Sequence, residues 1–476
     1  MIEPVFNRTK IVATLGPAVA SRSVLTQLIS AGIDVCRINA SHGAHADHQA
    51  LIDMVRSINE EHGTSLPILY DLQGPKIRMG NLAEPYPIQE GDIVEFCTSI
   101  RERIGNKLPM VLDSFARDVQ PGDHVLVDDG KVDLEVVETD GVDTVKLKVH
   151  VGDSIGSRKG VNLPYVNLSV SSMSDKDKAD LAFAVQNKLE WIALSFVRRP
   201  QDVLELRQLL HEMGSTARVM AKVEKPEALD NIDEIIRVSD AIMVARGDLG
   251  VEILTEEVPL WQKRIVRKCN EAGKPVVVAT QMLESMIQNS RPTRAEATDV
   301  SNAVLDGADA VMLSAETSVG RFPVQVVRTM QKIIDQAERE DSLYHRYQAL
   351  DRESNTYLSD AVCLTAVKLA VDTHARALVS MTRSGYTAFQ LSRHRPRAVI
   401  FIFTDNKDIL NTLNLVWGVR ALYYDGFVGT NESIQDIIRI LKERRLLDIG
   451  DIVINTASMP LSARGRTNMV KISVVE

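Results

Sequence analysis

The sequence predicts an α/β chain: a (β/α)₈ TIM barrel, split by a small inserted β-barrel lid domain and followed by a C-terminal doubly wound α/β domain. Three observations predict it. Eight short apolar runs alternate with helical patterns, at residues 11–15, 35–38, 68–72, 191–196, 217–223, 241–245, 276–280 and 310–313. The long gap between the third and fourth runs is rich in Gly, Asp and Val and alternates with period two. From about residue 342 a second alternation of strands and helices begins. The expected domains are therefore 1–74 with 171–341, then 75–170, then 342–476.

The barrel units come first. Helical patterns at 23–31, 175–186 and 202–213 separate the apolar runs, and Ser174 with Asp177 three residues on reads as a helix cap. Polar residues gather where the runs end: Thr14, Arg37, Asn39, Asp71, Ser195, Lys222, Glu224, Asp248, Thr280, Ser314 and Glu316. In this fold the active face lies at the C-terminal ends of the strands. The inserted segment carries strands at 124–127, 134–137 and 145–149, parted by Gln120-Pro121-Gly122-Asp123 and Asp128-Asp129-Gly130. Placed after the third strand, it stands at that face and is positioned to act as a lid. The last segment reads as a helix at 355–372, strands at 377–380, 398–403, 421–424, 451–455 and 469–475, and a helix at 432–442.

Composition narrows the function classes. A 45% hydrophobic, 25% charged chain of 476 residues is an ordinary globular protein with a sizeable core. A net charge of −9 argues against a nucleic-acid partner, and no run has the apolar length of a membrane span. The first ten residues lack the basic-then-apolar layout of a signal peptide. Cys36, Cys97, Cys269 and Cys363 show no metal or pairing pattern, so reduced thiols in a cytoplasmic protein are expected.

The stretch 220–252 is the chemical centre. Two apolar runs there finish in charge, the first in Lys222 and Glu224, the second in Arg246 and Asp248. Glu224 and Asp248 are hard oxygen ligands of the kind Mg²⁺ takes, with the rest of its shell left to water and substrate. Lys222 places an ammonium beside them. A metal and a lysine at one point suit chemistry in which negative charge builds on oxygen.

Several motifs together resemble the pyruvate kinase family. They are Arg37-Ile38-Asn39-Ala40-Ser41-His42-Gly43, Asp71-Leu72-Gln73-Gly74-Pro75-Lys76-Ile77-Arg78, Lys159-Gly160-Val161-Asn162-Leu163-Pro164 and Lys222-Val223-Glu224. Val244 to Gly250, Ala279 to Glu284 and Leu313 to Thr317 belong to the same set, and the order runs through all three segments. The resemblance implies phosphoryl transfer from phosphoenolpyruvate to ADP, giving pyruvate and ATP in glycolysis, with Mg²⁺ (or Mn²⁺) on Glu224 and Asp248. It gives Lys222, Thr280 and Arg37 catalytic roles, Thr280 as a proton relay. Substrate contacts fall to Arg37, Lys222, Ser195, Thr280 and the backbone of Gly247 and Asp248. ADP contacts fall to Asn39, His42, Arg78 and Lys159.

One departure stands out. Many family members bind K⁺ through the equivalents of Asn39, Ser41, Asp71 and the carbonyl of Leu72, and carry an acid where Lys76 stands here. An ammonium at about 4 Å in an effective dielectric near 20 would repel K⁺ by roughly 4 kcal/mol. Resemblance to the lysine-bearing branch therefore predicts no K⁺ requirement. The loop 380–387 resembles the family's effector-phosphate loop, with Thr382, Ser384 and Thr387 as contacts and Arg464 or Arg466 closing over it. The family likeness also implies a homotetramer. Two rivals stay open at this point: a C–C lyase on a related barrel, and a sensor whose barrel is silent.

Overall fold

The computed structural model describes residues 6–166, 169, 171–427, 429–460 and 466–476. Eight parallel strands close into a barrel: β1 (Lys10–Thr14), β2 (Val35–Asn39), β3 (Ile68–Asp71), β4 (Trp191–Leu194), β5 (Arg218–Val223), β6 (Ala241–Ala245), β7 (Val276–Ala279) and β8 (Ala310–Leu313). The strands read as near-continuous apolar runs because both faces are covered. Val12, Leu69, Trp191, Met220, Met243 and Met312 fill the interior. Their neighbours Ile11, Ile68, Ile192 and Ile242 face the helical ring. The register sets Thr14 beside Arg37 and Asn39 beside Asp71, so the polar tips share one rim.

Several strands stop one or two residues before the predicted runs do. Ser195 and Phe196 lie beyond β4, and Thr280 lies beyond β7. Phe196 has φ 54° and Thr280 φ 68°. A β-branched residue at positive φ is a strained outlier, worth about 1–3 kcal/mol, and such strain gathers at working sites. The predicted Ser174 cap is present: its Oγ accepts from the Asp177 amide at 3.2 Å, at the head of helix Asp175–Gln186. Asp177 also accepts the Gly74 amide at 3.0 Å, tying the point where the chain leaves the barrel to the helix by which it returns.

The inserted domain is a seven-stranded sheet running from Val161–Asn162 through His124–Val127, Val132–Thr139, Thr144–Val151, Ile93–Cys97 and Lys107–Val111 to Arg78–Met79. A bridge between Arg78 and Gly160 joins its two edges into a barrel. Phe96, Phe115, Leu134 and Leu147 form its core.

The C-terminal sheet runs Val419–Tyr423, Val399–Thr404, Ala377–Met381, Ile452–Ala457, Met469–Val474. The first four strands are parallel, as a doubly wound sheet requires. The last is antiparallel, because the connection from Ala457 to Met469 is too short for a helical crossover.

This domain reaches into the barrel from below. Leu415 joins the interior cluster and Trp417 the surrounding one. Arg395, 1% exposed, holds Asp309 with both Nη1 (3.1 Å) and Nη2 (3.0 Å), bonds the Gly307 carbonyl at 2.7 Å and lies 4.8 Å over the Trp417 ring.

Next to it, His394 is fully buried and its Nδ1 accepts from the Gln348 amide at 3.2 Å. Burial, helped by the charges of Arg393 and Lys368, pushes its pKa from 6.5 down to about 3. The unfolded chain therefore binds a proton that the folded chain refuses between those values. Stability from this group is complete above pH 6.5 and drains away as pH falls toward 3. At pH 5 the loss is on the order of 2 kcal/mol. Thermal midpoints at pH 7 and pH 5 should differ more in the parent than in His394→Asn, whose Oδ1 keeps the acceptor without the titration.

Candidate active site

Asp71, 1% exposed at the tip of β3, organises the site. Arg37 Nε (2.8 Å) and Nη2 (2.7 Å) both meet its Oδ2, and Lys222 Nζ stands 3.2 Å from its Oδ1. Arg37 Nη1 donates to Thr14 Oγ1 at 2.9 Å, and that hydroxyl donates to the Leu313 carbonyl at 2.8 Å. Burial works against the Asp71 charge, but Lys222 and Arg37 outweigh it and hold the carboxyl below its ordinary value.

Lys222 also pairs with Glu224 Oε1 at 2.8 Å and donates to Ser195 Oγ at 2.7 Å. Burial disfavours its charge, yet Asp71 and Glu224 together hold the ammonium above the ordinary lysine value. It is a fixed positive charge, not a base. Glu224 is more deeply buried, 1% exposed, and accepts the Phe196 amide at 2.7 Å, where the backbone turns. Burial pushes its carboxyl up, Lys222 opposes this, and the charge of Asp248 adds to it. Two carboxylates that feel each other beyond the tips of neighbouring strands suit Mg²⁺, which takes one or two protein carboxylates and keeps water and substrate oxygens. No group of three or more His, Cys, Asp or Glu among the described residues is arranged to hold a metal. The donor set therefore fits a divalent ion completed by substrate rather than one caged by protein.

Asp248 sits in the short helix Arg246–Glu252 that follows β6. The Gly247 amide, predicted as a substrate contact, donates to Thr280 Oγ1 at 2.7 Å, and that hydroxyl donates to the Ala279 carbonyl at 2.6 Å. Arg246 fixes the same turn, with Nη2 on the Thr280 carbonyl at 2.8 Å and Nη1 on Asp299 at 2.6 Å.

The predicted nucleotide residues meet at the mouth. Burial, then the charges of Arg78, Lys76 and Arg37, push the His42 imidazole below its ordinary value, so these side chains share one electrostatic neighbourhood. Arg78 Nη1 reaches the Arg158 carbonyl at 3.4 Å, and Lys159 pairs with Asp128 at 3.0 Å within the lid. Asn39 Oδ1 accepts the Ser41 amide at 3.1 Å, and the Leu72 carbonyl accepts Ser195 Oγ at 2.7 Å. With Asp71 held by Arg37 and Lys222, three of the four residues predicted for a monovalent cation, Asn39, Asp71 and Leu72, have an oxygen already bonded; Ser41 is the fourth. Lys76 is exposed, and its Cε faces the lid at Gly160.

A cavity of about 1230 Å³ lies elsewhere. It lies between the C-terminal domain and the barrel floor and is lined by Thr382, Ser384, Thr387, Arg393, Arg466 and Arg218. Thr382 Oγ1 accepts the Gly385 amide at 3.1 Å, Ser384 Oγ the Tyr386 amide at 3.4 Å, and Thr387 Oγ1 meets Thr467 Oγ1 at 2.7 Å. Arg464 lies outside the described residues. The seam at the catalytic mouth holds only about 30 Å³ because the lid rests on the barrel. Volume therefore does not locate the chemistry; the buried charges do.

Sequence reasoning missed Asp71 as the hub and Arg246 as a brace. A signal existed for the first, since a buried arginine needs a buried anion. Nothing in the spacing names which anion.

Comparison with known proteins gives the family. The family model "Pyruvate kinase, barrel domain" matches residues 6–327, and "Pyruvate kinase, alpha/beta domain" matches residues 360–473. The chain is 42% identical to "Pyruvate kinase 2" of Synechocystis over 99% of its own length and 80% of that protein. It is 43% identical to "Pyruvate kinase" of Corynebacterium glutamicum, over 98% of both. A crystal structure of a pyruvate kinase from Cryptosporidium parvum superposes with a TM-score of 0.92 at 34% identity, covering 98% of this chain and 96% of that one. With both domains matched in order and at full length, the chain belongs to the pyruvate kinase family and is a phosphotransferase acting between phosphoenolpyruvate and ADP.

Proposed function

We propose that the family's reaction runs at the rim formed by β2, β3 and β5, with Mg²⁺ held by Glu224 and Asp248. The observation that carries this reading is the Lys222 ammonium, buried and kept charged between Asp71 and Glu224. The metal, or Mn²⁺ in its place, would supply a second positive charge toward the substrate's oxygens. Phosphoryl transfer needs mostly positioning and neutralised charge. Lys222 faces the oxygens of the group in flight and the enolate left behind. Arg37, its fork aimed by Asp71 and Thr14, grips a phosphate oxygen. Gly247 and Asp248 offer backbone amides to the substrate carboxylate, Gly247 exchanging its bond to Thr280. Thr280, between the Gly247 amide and the Ala279 carbonyl, is placed to relay the proton that turns enolate into pyruvate. Ser195 buttresses Lys222. Asn39, His42, Arg78 and Lys159 receive the ADP phosphates under the lid.

Turnover is to be measured with phosphoenolpyruvate, ADP and Mg²⁺, coupled to lactate dehydrogenase. Chelating the metal with EDTA should abolish it. Replacing K⁺ by tetramethylammonium should leave most of it, since the Lys76 ammonium stands where many family members carry an acid. A loss of tenfold or more in tetramethylammonium would refute K⁺ independence.

The cavity beside Thr382, Ser384 and Thr387 supports a phosphorylated effector, bound by hydroxyls and by Arg466. A shift of the phosphoenolpyruvate saturation curve by a sugar phosphate or a nucleotide should vanish when Thr382→Ala and Ser384→Ala are combined. An unaltered shift would place that effector elsewhere. A cytoplasmic homotetramer is the state we assign; no helix among the described residues is long and apolar enough to cross a membrane.

A further inference from the structure

At the seam between lid and barrel, one carboxylate oxygen receives two segments of the chain. Glu252 closes the helix Arg246–Glu252 that carries Asp248, and it is 1% exposed. Its Oε1 accepts Lys225 Nζ at 2.6 Å and Asn162 Nδ2 at 2.8 Å. Its Oε2 is buried and has no hydrogen-bond partner. Lys225 follows Glu224 directly, beyond the tip of β5. Asn162 belongs to the lid, three residues after Lys159, and pairs with Leu126, two residues before Asp128. The metal helix, the lysine strand and the nucleotide loop of the lid thus converge on Glu252.

We propose that Glu252 is a positioning residue for closure over the nucleotide: its Oε1, already neutralised by Lys225, takes the lid's Asn162 amide and so fixes where Lys159 stands relative to Asp248. The sharing is what makes the contact reversible. A buried carboxylate without a counter-ion would hold the lid shut or force a proton onto itself. With Lys225 attached, Glu252 keeps a partner when the lid leaves. When the lid arrives, a charge-assisted bond of fixed direction sets its register. Asn162 donates to Glu252 across the seam while Lys159 and Asp128 pair with each other inside the lid. The contact therefore aligns the nucleotide side of the mouth and leaves the Arg37, Asp71 and Lys222 cluster untouched.

This rests on the reading of the lid as the cover for ADP, so Lys159→Ala is measured first. A raised KM for ADP upholds that reading; an unchanged one removes it, and the proposal with it. Given the rise, Asn162→Ala should raise KM for ADP about tenfold, equivalent to about 1.4 kcal/mol, and leave KM for phosphoenolpyruvate within twofold. Glu252→Gln should raise KM for ADP as well. The double variant should be no worse than the worse single one, because both changes break the same contact. A merely structural seam would lower the thermal midpoint without this split between the two substrates. Asn162→Asp keeps the shape of the side chain and sets a like charge against Glu252, so it should exceed the alanine effect even if the alanine lid folds poorly. An ADP KM unchanged in Asn162→Asp, or effects of Asn162→Ala and Glu252→Gln that multiply, would overturn the proposal.

Discussion

Lys222→Met should lower kcat by about 10²–10³-fold while leaving phosphoenolpyruvate binding largely intact. Removing one preorganised donor to a developing oxyanion costs about 2.7–4 kcal/mol, and this donor serves a low-dielectric site. Methionine keeps the stem and its packing, so the loss reads as lost charge. Arg37 still neutralises Asp71 through two bonds, which confines the damage to the reaction centre. The ammonium's raised proton affinity also means that Lys222 contributes no titration to the pH–rate profile at neutral pH. Steady-state and single-turnover rates with phosphoenolpyruvate and ADP test this. Turnover within tenfold of the parent would overturn the role given to Lys222.

The second large effect is on stability. Arg395→Met should destabilise the protein by about 3–5 kcal/mol, the usual result of removing one partner of a buried ion pair. Asp309 would keep the Val276 amide at 3.1 Å but lose both guanidinium contacts. The Gly307 carbonyl would lose the shorter of its two bonds and keep the Asn270 amide at 3.2 Å. Urea or thermal midpoints measure the cost. At low temperature the folded fraction should turn over at the parent's rate, because Arg395 lies at the opposite end of the barrel from Lys222. A change in midpoint worth less than about 1 kcal/mol would mean that the pair is far more solvated than its 1% exposure implies.

Much of this architecture was legible because burial writes itself into a sequence. A strand covered on both faces carries few charges, so Lys222, Glu224 and the Asp71 tip marked the ends of the strands. The metal pair and its lysine came from that pattern together with ligand chemistry. What was not legible is partnership across the barrel. Spacing says that Arg37, Asp71 and Lys222 share a face. It does not say that Arg37 and Lys222 take separate oxygens of Asp71, or that Glu252 meets Asn162 across ninety positions. The antiparallel edge at Met469–Val474 escaped for a related reason: periodicity marks a strand without giving its direction. Thr280 and Phe196 read as the last residues of strands, yet their backbones turn away into positive φ to present groups to the site.

The floor of the barrel has one more implication. Leu415 and Trp417 are contributed by the third segment, yet they complete cores that the first segment began. Without them the barrel would be a cup with no bottom, its greasy inner wall open to water. The C-terminal module is thus a stopper for the barrel, whose inner wall it covers. Any ligand that rocks the stopper moves the wall against which every catalytic strand is stacked.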